Sequence, residues 1–201
     1  MLERQFLRKA ELMLRHKCPI CNGEFGPVYA DPASDADAGT INQERYEMLG
    51  QQLDIYDKFK ISWSIWLYKD IGMQGMVHTN RDSKWNRTIQ PFLDRKKKYR
   101  LDAWGVHASP ESEAAVNPLV EWIDQICPAA KEAYPGPWAT ERHVMRAVIQ
   151  TFLSAQFSDE FAQQFEGMSL KELDELAHSF HFDECVQREG LNIVLTEHAP
   201  H

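Results

Sequence analysis

The sequence predicts an α/β fold followed by a helical segment. In residues 1–105, helical patterns alternate with short apolar runs rich in β-branched and aromatic residues. That alternation is typical of parallel strands joined by crossover helices. In residues 106–201, apolar residues recur three or four positions apart, and proline or glycine separates the stretches, which predicts helices alone.

The first segment contains alternating helices and strands. In chain order we predict a helix over 3–16, a strand over 19–25, a helix over 40–59, a strand over 61–68 and a helix over 84–99. Thr40 and Gln43 have the spacing of a capping box, which predicts Thr40 as the N-cap of the central helix. In the second segment we predict helices over 116–126, 141–156 and 170–180.

Composition excludes several functional classes. The chain has 201 residues, 43% of them hydrophobic and 26% charged, the balance of a globular protein. Its net charge of −8 argues against a general nucleic-acid binder. No apolar run approaches the ~20 residues of a membrane-spanning helix. Charged residues near Met1 interrupt any signal peptide there, so a cytoplasmic location is expected if Met1 is the true start.

Charge is distributed unevenly along the chain. Residues 1–105 carry 17 basic and 14 acidic side chains, whereas residues 106–201 carry 5 and 16. A turn-rich stretch lies at the change. We therefore predict two domains, 1–105 and 106–201.

Glu24 is the candidate catalytic residue. It stands near the end of the first predicted strand, with Gly23 and Gly26 close by. Active sites of parallel α/β folds form at the carboxyl ends of strands, where a glutamate serves as nucleophile or general base. The alternative interpretation is a glutamate that pairs with an arginine or caps a loop.

Two tryptophans in the second predicted strand lie three positions apart. Strand alternation sends Trp63 and Trp66 to opposite faces, so one can face a helix while the other offers a stacking surface to a sugar ring. The alternative is that both are core aromatics. Lys69 and Asp70 follow directly and are candidates for hydrogen bonds to substrate hydroxyls.

Weaker patterns lead to no metal or cofactor prediction. Cys18 and Cys21 have the C-x-x-C spacing of a redox pair or half a zinc site, but no second pair accompanies them. His178 and His181 lack further ligands at metal-binding spacing. The acidic loop at 31–39 fails the EF-hand spacing, and a solvated loop is expected.

Two blocks together resemble glycoside hydrolase family 5, most closely its fungal cellulase-like members. They are Asn22-Gly-Glu-Phe-Gly-Pro-Val-Tyr29 and Ile61-Ser-Trp-Ser-Ile-Trp-Leu-Tyr-Lys-Asp-Ile-Gly72, followed by Gln74-Gly-Met-Val77 and Leu101-Asp-Ala-Trp-Gly105. The resemblance implies the C-terminal part of a TIM (β/α)₈ barrel, strands 7 and 8 with their helices, followed by an α-helical extension. It implies hydrolysis of a β-glycoside with retention and without a cofactor.

The same resemblance assigns the site residues. It implies that Glu24 is the nucleophile and that Trp66 lines the subsite of the sugar under attack. Lys69 and Asp70 then lie on the loop where substrate contacts occur. The expected partner is a β-linked carbohydrate or glycoside.

One departure from the family matters for activity. The general acid/base of family 5 is the glutamate of an Asn-Glu pair on the fourth strand, and this sequence contains no Asn-Glu. Strands one to six have no counterpart here either. We therefore expect the chain alone to be inactive, with a partner chain as one possible source of those strands. A non-enzymatic interaction module that keeps the motifs as packing residues is the alternative function, and a C-x-x-C redox or zinc protein is a third.

Overall fold

A computed structural model describes residues 1–33, 35–101, 109–129 and 139–199. The chain divides into two compact units, one made of Met1–Ser83 with the C-terminal residues from Ala177, the other of Lys84–Leu176. The domain boundary predicted from charge, between residues 105 and 106, lies outside the described residues, so that division stays a prediction.

The five elements predicted through residue 98 occur in the predicted order, but the structure differs in three respects. The first predicted helix is divided into two, the second predicted strand ends at Ile65 rather than at residue 68, and two short strands that were not predicted precede the last helix of this part. In chain order the described elements are α1 (Leu2–Lys9), α2 (Glu11–His16), β1 (Cys21–Phe25), α3 (Ala38–Phe59), β2 (Ser62–Ile65), β3 (Lys69–Asp70), β4 (Val77–Thr79), α4 (Lys84–Lys98), α5 (Pro110–Ile126), α6 (Thr140–Val144), a π-helix (Met145–Leu153), α7 (Ser154–Gln156), α8 (Ser158–Gln163), α9 (Leu170–His178), a 3₁₀ turn (Phe182–Glu184), β5 (Cys185–Gln187) and α10 (Glu189–Glu197). None of the helices described is both long and apolar enough to cross a membrane.

In the first unit, β1 and β2 form a parallel pair connected by α3. Asn22 lies opposite Trp63 and Phe25 opposite Ile65, so β1 contains one extra residue in a bulge. The ring of Phe25 meets that of Tyr56 on α3 edge-on, with centroids 5.3 Å apart. One face of the strand pair therefore packs on the helix, as the predicted strand–helix–strand order requires.

The first unit also contains a three-stranded sheet, which was not predicted. β3 runs parallel to β4, and β4 pairs antiparallel with β5 in the register Thr79 to Cys185. The prediction that residues 106–201 are wholly helical is therefore wrong at Cys185–Gln187. A three-residue strand is too short to show periodicity, and its hydrogen-bonding partner lies far away in the sequence.

The capping-box prediction is also wrong. α3 begins at Ala38, two residues before Thr40, and its N-cap residue Asp37 makes no side-chain capping bond. Gln43 does not reach back but donates to the Glu47 carboxylate at 3.0 Å. The four-residue spacing of this pair places both side chains on one helix face, and their bond competes with the predicted cap.

The core of the first unit joins α3 to the C-terminal helix. Its buried members are Tyr29, Leu49, Leu53, Tyr56, Ile61, Leu191 and Leu195. Gly190 allows this contact, because a Cβ atom there would lie only 2.4 Å from the Tyr46 ring. The C-terminal residues are thus part of the hydrophobic core of this unit.

Tyr29 is a buried phenol within this core. Its hydroxyl has no hydrogen-bond partner among the described residues, and the Arg188 guanidinium lies 4.3 Å from its ring centroid. Burial raises the pKa of the Tyr29 hydroxyl above its ordinary value of 10.0, since the phenolate would lose its hydration.

We expect Tyr29→Phe to raise the free energy of unfolding at neutral pH by about 1 kcal/mol, because an unpaired buried hydroxyl is removed. Above pH 10 the unfolded chain ionises Tyr29 while the folded chain keeps its proton, so wild-type stability falls with rising pH. In Tyr29→Phe the loss of stability that ionisation of Tyr29 causes above pH 10 is absent. Urea unfolding at pH 7 and about pH 11 measures both effects. Tyr68→Phe, at a side chain that is 60% exposed, is the control; lower stability of Tyr29→Phe at pH 7 would contradict the expectation.

The described residues of the second unit form helices and the turns between them, with no strand. Its buried core consists of Leu101, Val116, Val144, Met145 and Ile149. Ser109 caps α5 by accepting the Ser112 N–H at 3.3 Å, and Pro110 takes the first helical position, which lacks a hydrogen-bond partner in any helix. The stacked rings of Trp85 and Phe165 add a second contact, with centroids 5.5 Å apart.

Candidate functional site

Glu24 and Trp66 lie at the carboxyl ends of two adjacent parallel strands. Glu24 is the next-to-last residue of β1, and Trp66 follows β2 directly. The backbone N–H of Trp66 donates to the carbonyl of Phe25 at 2.8 Å. This hydrogen bond holds the two strand ends side by side, so both candidate residues lie at the same edge of the sheet.

The two candidate side chains lie away from the packed core. Phe25, Trp63 and Ile65 pack against the core cluster, whereas Trp66 is not among the residues packed on it. Glu24 is exposed, and Trp66 is 45% exposed. Trp63 instead packs against Phe25, with ring centroids 5.9 Å apart. The prediction that the two tryptophans face opposite sides is confirmed.

Gly26 allows the close approach of the two strand ends. Its φ of +146° is unfavourable for residues with a side chain, and a Cβ atom there would lie 2.9 Å from the Trp66 carbonyl oxygen. The following peptide bond, between Trp66 and Leu67, is cis. The backbone carrying Trp66 is therefore in direct contact with the end of β1.

The Glu24 carboxylate makes no hydrogen bond or ion pair with the described residues. The alternative that it pairs with a neighbouring arginine is not seen in this part of the chain. An exposed, unpaired carboxylate near a strand end is chemically able to attack an electrophilic carbon or to accept a proton.

Lys69 is held by the C-terminal part of the first unit. Its ammonium donates to the backbone carbonyl of Phe180, and its backbone pairs with Val77 in the second sheet. This contact ties β3 to the chain just before β5. The structure thus gives Lys69 a structural partner beside its predicted role in substrate binding.

Asp70 organises the loop that follows it. Its carboxylate oxygens accept the backbone N–H groups of Gly72 at 2.8 Å, Met73 at 3.1 Å and Gln74 at 2.6 Å. The close turn at the end of this loop requires glycine at position 75, because a Cβ atom there would lie 2.5 Å from the Val77 carbonyl oxygen. Both oxygens of Asp70 are therefore engaged inside the protein, where they stabilise the loop after β3.

We expect Asp70→Asn to lower the free energy of unfolding by about 1–3 kcal/mol, because an amide has one acceptor oxygen for three N–H donors and its NH₂ group opposes one of them. Urea unfolding monitored by circular dichroism measures the change. Asp82→Asn, an exposed position in the same unit, is the matched control. Equal stabilities of the two variants would exclude this loop-holding role.

Arg188 also holds this loop, and its sequence pattern does not predict that role. Its guanidinium donates to the carbonyls of Gly75 at 3.0 Å and Gly72 at 2.9 Å, and its backbone N–H donates to Met76 at 2.8 Å. A single arginine between two short elements has no local signature. Only the pairing of β4 with β5 brings it to this loop.

The remaining candidate groups show no metal-binding arrangement. Cys18 and Cys21 are exposed free thiols. The rings of His178 and His181 lie 4.1 Å apart, and Asp31 of the acidic loop pairs with Arg81 at 2.7 Å. Among the described residues no three His, Cys, Asp or Glu side chains are placed to hold a metal ion together.

The chain is similar to a β-xylosidase of Phanerodontia chrysosporium, with 43% identity over 201 aligned residues. The match covers 98% of this chain and 42% of that protein, so the chain spans less than half the length of the relative it matches. No family model matches the sequence, and no solved structure matches it.

Proposed function

We propose that this chain supplies the nucleophile and the sugar-stacking side chain of a retaining β-glycosidase of the family 5 type. In this proposal β1 and β2 are strands 7 and 8 of a TIM barrel. The observation that carries it is the juxtaposition of an unpaired Glu24 and an exposed Trp66 at the ends of two hydrogen-bonded parallel strands. The similarity to a β-xylosidase supports the reaction class.

The proposed reaction proceeds in two steps. A carboxylate oxygen of Glu24 bonds to the anomeric carbon while the bond to the leaving oxygen breaks, and a carboxylic acid protonates that oxygen. Water then attacks the glycosyl ester, and its proton passes to the same acid/base group. The sugar leaves with its configuration retained, and the Glu24 carboxylate is restored.

The acid/base group is not assigned within this chain. The Asn-Glu pair that bears it in family 5 is absent from the sequence. A retaining mechanism needs two carboxyl groups about 5–5.5 Å apart, so the proposed site is complete only with a group from outside these residues. Without it, the chain alone is expected to leave aryl β-glycosides unhydrolysed.

The substrate class follows from the stacking surface and the relative. The indole of Trp66 fits the apolar face of a sugar ring. We propose a β-xyloside as the first substrate to test, since the matched protein bears the name β-xylosidase. β-Glucosides, β-glucans and glucosylceramides are the other β-glycosides to test as substrates.

A chimera tests the proposal. This chain replaces the matching segment of the Phanerodontia protein, whose remaining residues supply the rest of the fold. We expect the chimera to hydrolyse 4-nitrophenyl β-xyloside, and the chain alone to show no turnover in the same assay. A folded chimera without activity would contradict the proposed function and favour a non-enzymatic module.

A further inference from the structure

A cavity in the first unit lies between α1 and α3 beside the end of β1. Its volume is about 290 Å³, and Gly26 and Pro27 form one of its walls. Neither Glu24 nor Trp66 lines it. Small-molecule sites begin at roughly this size and combine apolar walls with a few polar groups.

The cavity has cationic groups and no anionic one. Lys9 and Arg45 line it, and no Asp or Glu does. Arg45 donates to the Val28 carbonyl, which fixes its guanidinium beside the wall. Neither cation forms an ion pair with the residues that the structure describes. The local field therefore favours a ligand with negative charge.

The rest of the lining is mostly apolar, with Gln5 and Gln52 as its neutral polar side chains. The apolar side chains in contact with the cavity include Leu2, Phe6, Met48 and Ile55. The ring of Phe6 packs on those of Phe59 and Tyr56, with centroids 5.1 Å and 5.9 Å apart. An ion pair of 2.6 Å between Glu3 and Lys58 adds a second tie between α1 and α3. These contacts hold α1 against α3 next to the cavity.

From these features we infer that the cavity binds a small aromatic carboxylate. Its ring lies against the side chains of Phe6 and Met48, and its carboxylate lies between Lys9 and Arg45. Charge-assisted hydrogen bonds from the two cations hold the anionic end, and burial of the ring supplies the apolar part of the affinity. This site does not depend on the proposed glycosidase function.

Titration of the full chain with 1-naphthoate by calorimetry tests the inference. We expect binding that is about ten-fold tighter than for the neutral 1-naphthamide, which has the same rings without the charge. Lys9→Gln is expected to weaken naphthoate binding about five- to ten-fold. Arg8→Gln is the control, because it removes the same charge from the same helix at a residue outside the cavity wall.

A second variant separates a binding defect from a folding defect. Met48 is 50% exposed, so Met48→Asp adds a negative charge to the wall at little cost to the fold. We expect it to abolish naphthoate binding while the unfolding midpoint stays near that of wild type. Equal affinities for naphthoate and naphthamide, or equal losses in Lys9→Gln and Arg8→Gln, would overturn the inference.

Discussion

Glu24→Gln in the chimera is expected to lower kcat for 4-nitrophenyl β-xyloside by about 10⁴- to 10⁶-fold, the scale on which enzymes lose activity with their nucleophile. The amide keeps the shape of the side chain but cannot form the glycosyl ester. Because Glu24 is exposed and forms no hydrogen bond or ion pair with the residues that the structure describes, the variant is expected to keep the unfolding midpoint of the parent chimera. The loss is therefore chemical.

The controls distinguish a nucleophile from a nearby carboxylate. Glu44→Gln removes the same charge from an exposed position on α3 and is expected to leave kcat unchanged. In Glu24→Gly, azide takes the place of the carboxylate and attacks the anomeric carbon, so the product is a glycosyl azide of inverted configuration. The nucleophile assignment fails if Glu24→Gln keeps more than a tenth of the parent activity.

Leu191→Ala is expected to lower the free energy of unfolding of the chain by about 2–5 kcal/mol, the range for truncating a buried leucine. Leu191 is 0% exposed and lies in the core formed by α3 and α10. The truncation leaves a cavity between these helices and weakens the attachment of the C-terminal residues to the first unit. Urea unfolding followed by circular dichroism measures the change.

Ile193→Ala provides the matched comparison on the same helix. Ile193 is 59% exposed, so its truncation is expected to change stability by no more than about 0.5 kcal/mol. Equal effects of the two variants would mean that α10 does not pack on α3 as described. The difference between them isolates the contribution of that contact.

The opposite placement of the two tryptophans and the pairing of the first two strands followed from local sequence. Alternation within 61–68 was enough to send Trp63 and Trp66 to opposite faces, and the structure confirms it. The parallel pairing of β1 with β2 follows from the helix between them. Periodicity and residue chemistry are local properties, so they predict which strand bears which side chain.

Local sequence did not predict which groups surround the polar candidates Lys69 and Asp70. Asp70 was predicted as a substrate contact, yet its carboxylate is engaged by the loop after β3. Lys69 is held by the Phe180 carbonyl, which no local pattern connects to it. Whether a polar side chain faces a ligand or the protein depends on groups that only folding brings near.

The sequence by itself determined the helix–strand–helix–strand order of residues 1–65, the opposite placement of Trp63 and Trp66, and the chemistry that a carboxylate and an indole can offer. The tertiary structure decided that Cys185–Gln187 is a strand, that Arg188 holds the loop after β3, and that the C-terminal helix completes the core of the first unit. The physical reason is the range of the interactions. Periodicity is set by neighbouring residues, whereas these hydrogen bonds and apolar contacts join residues distant along the chain, and their free energy exists only in the folded state.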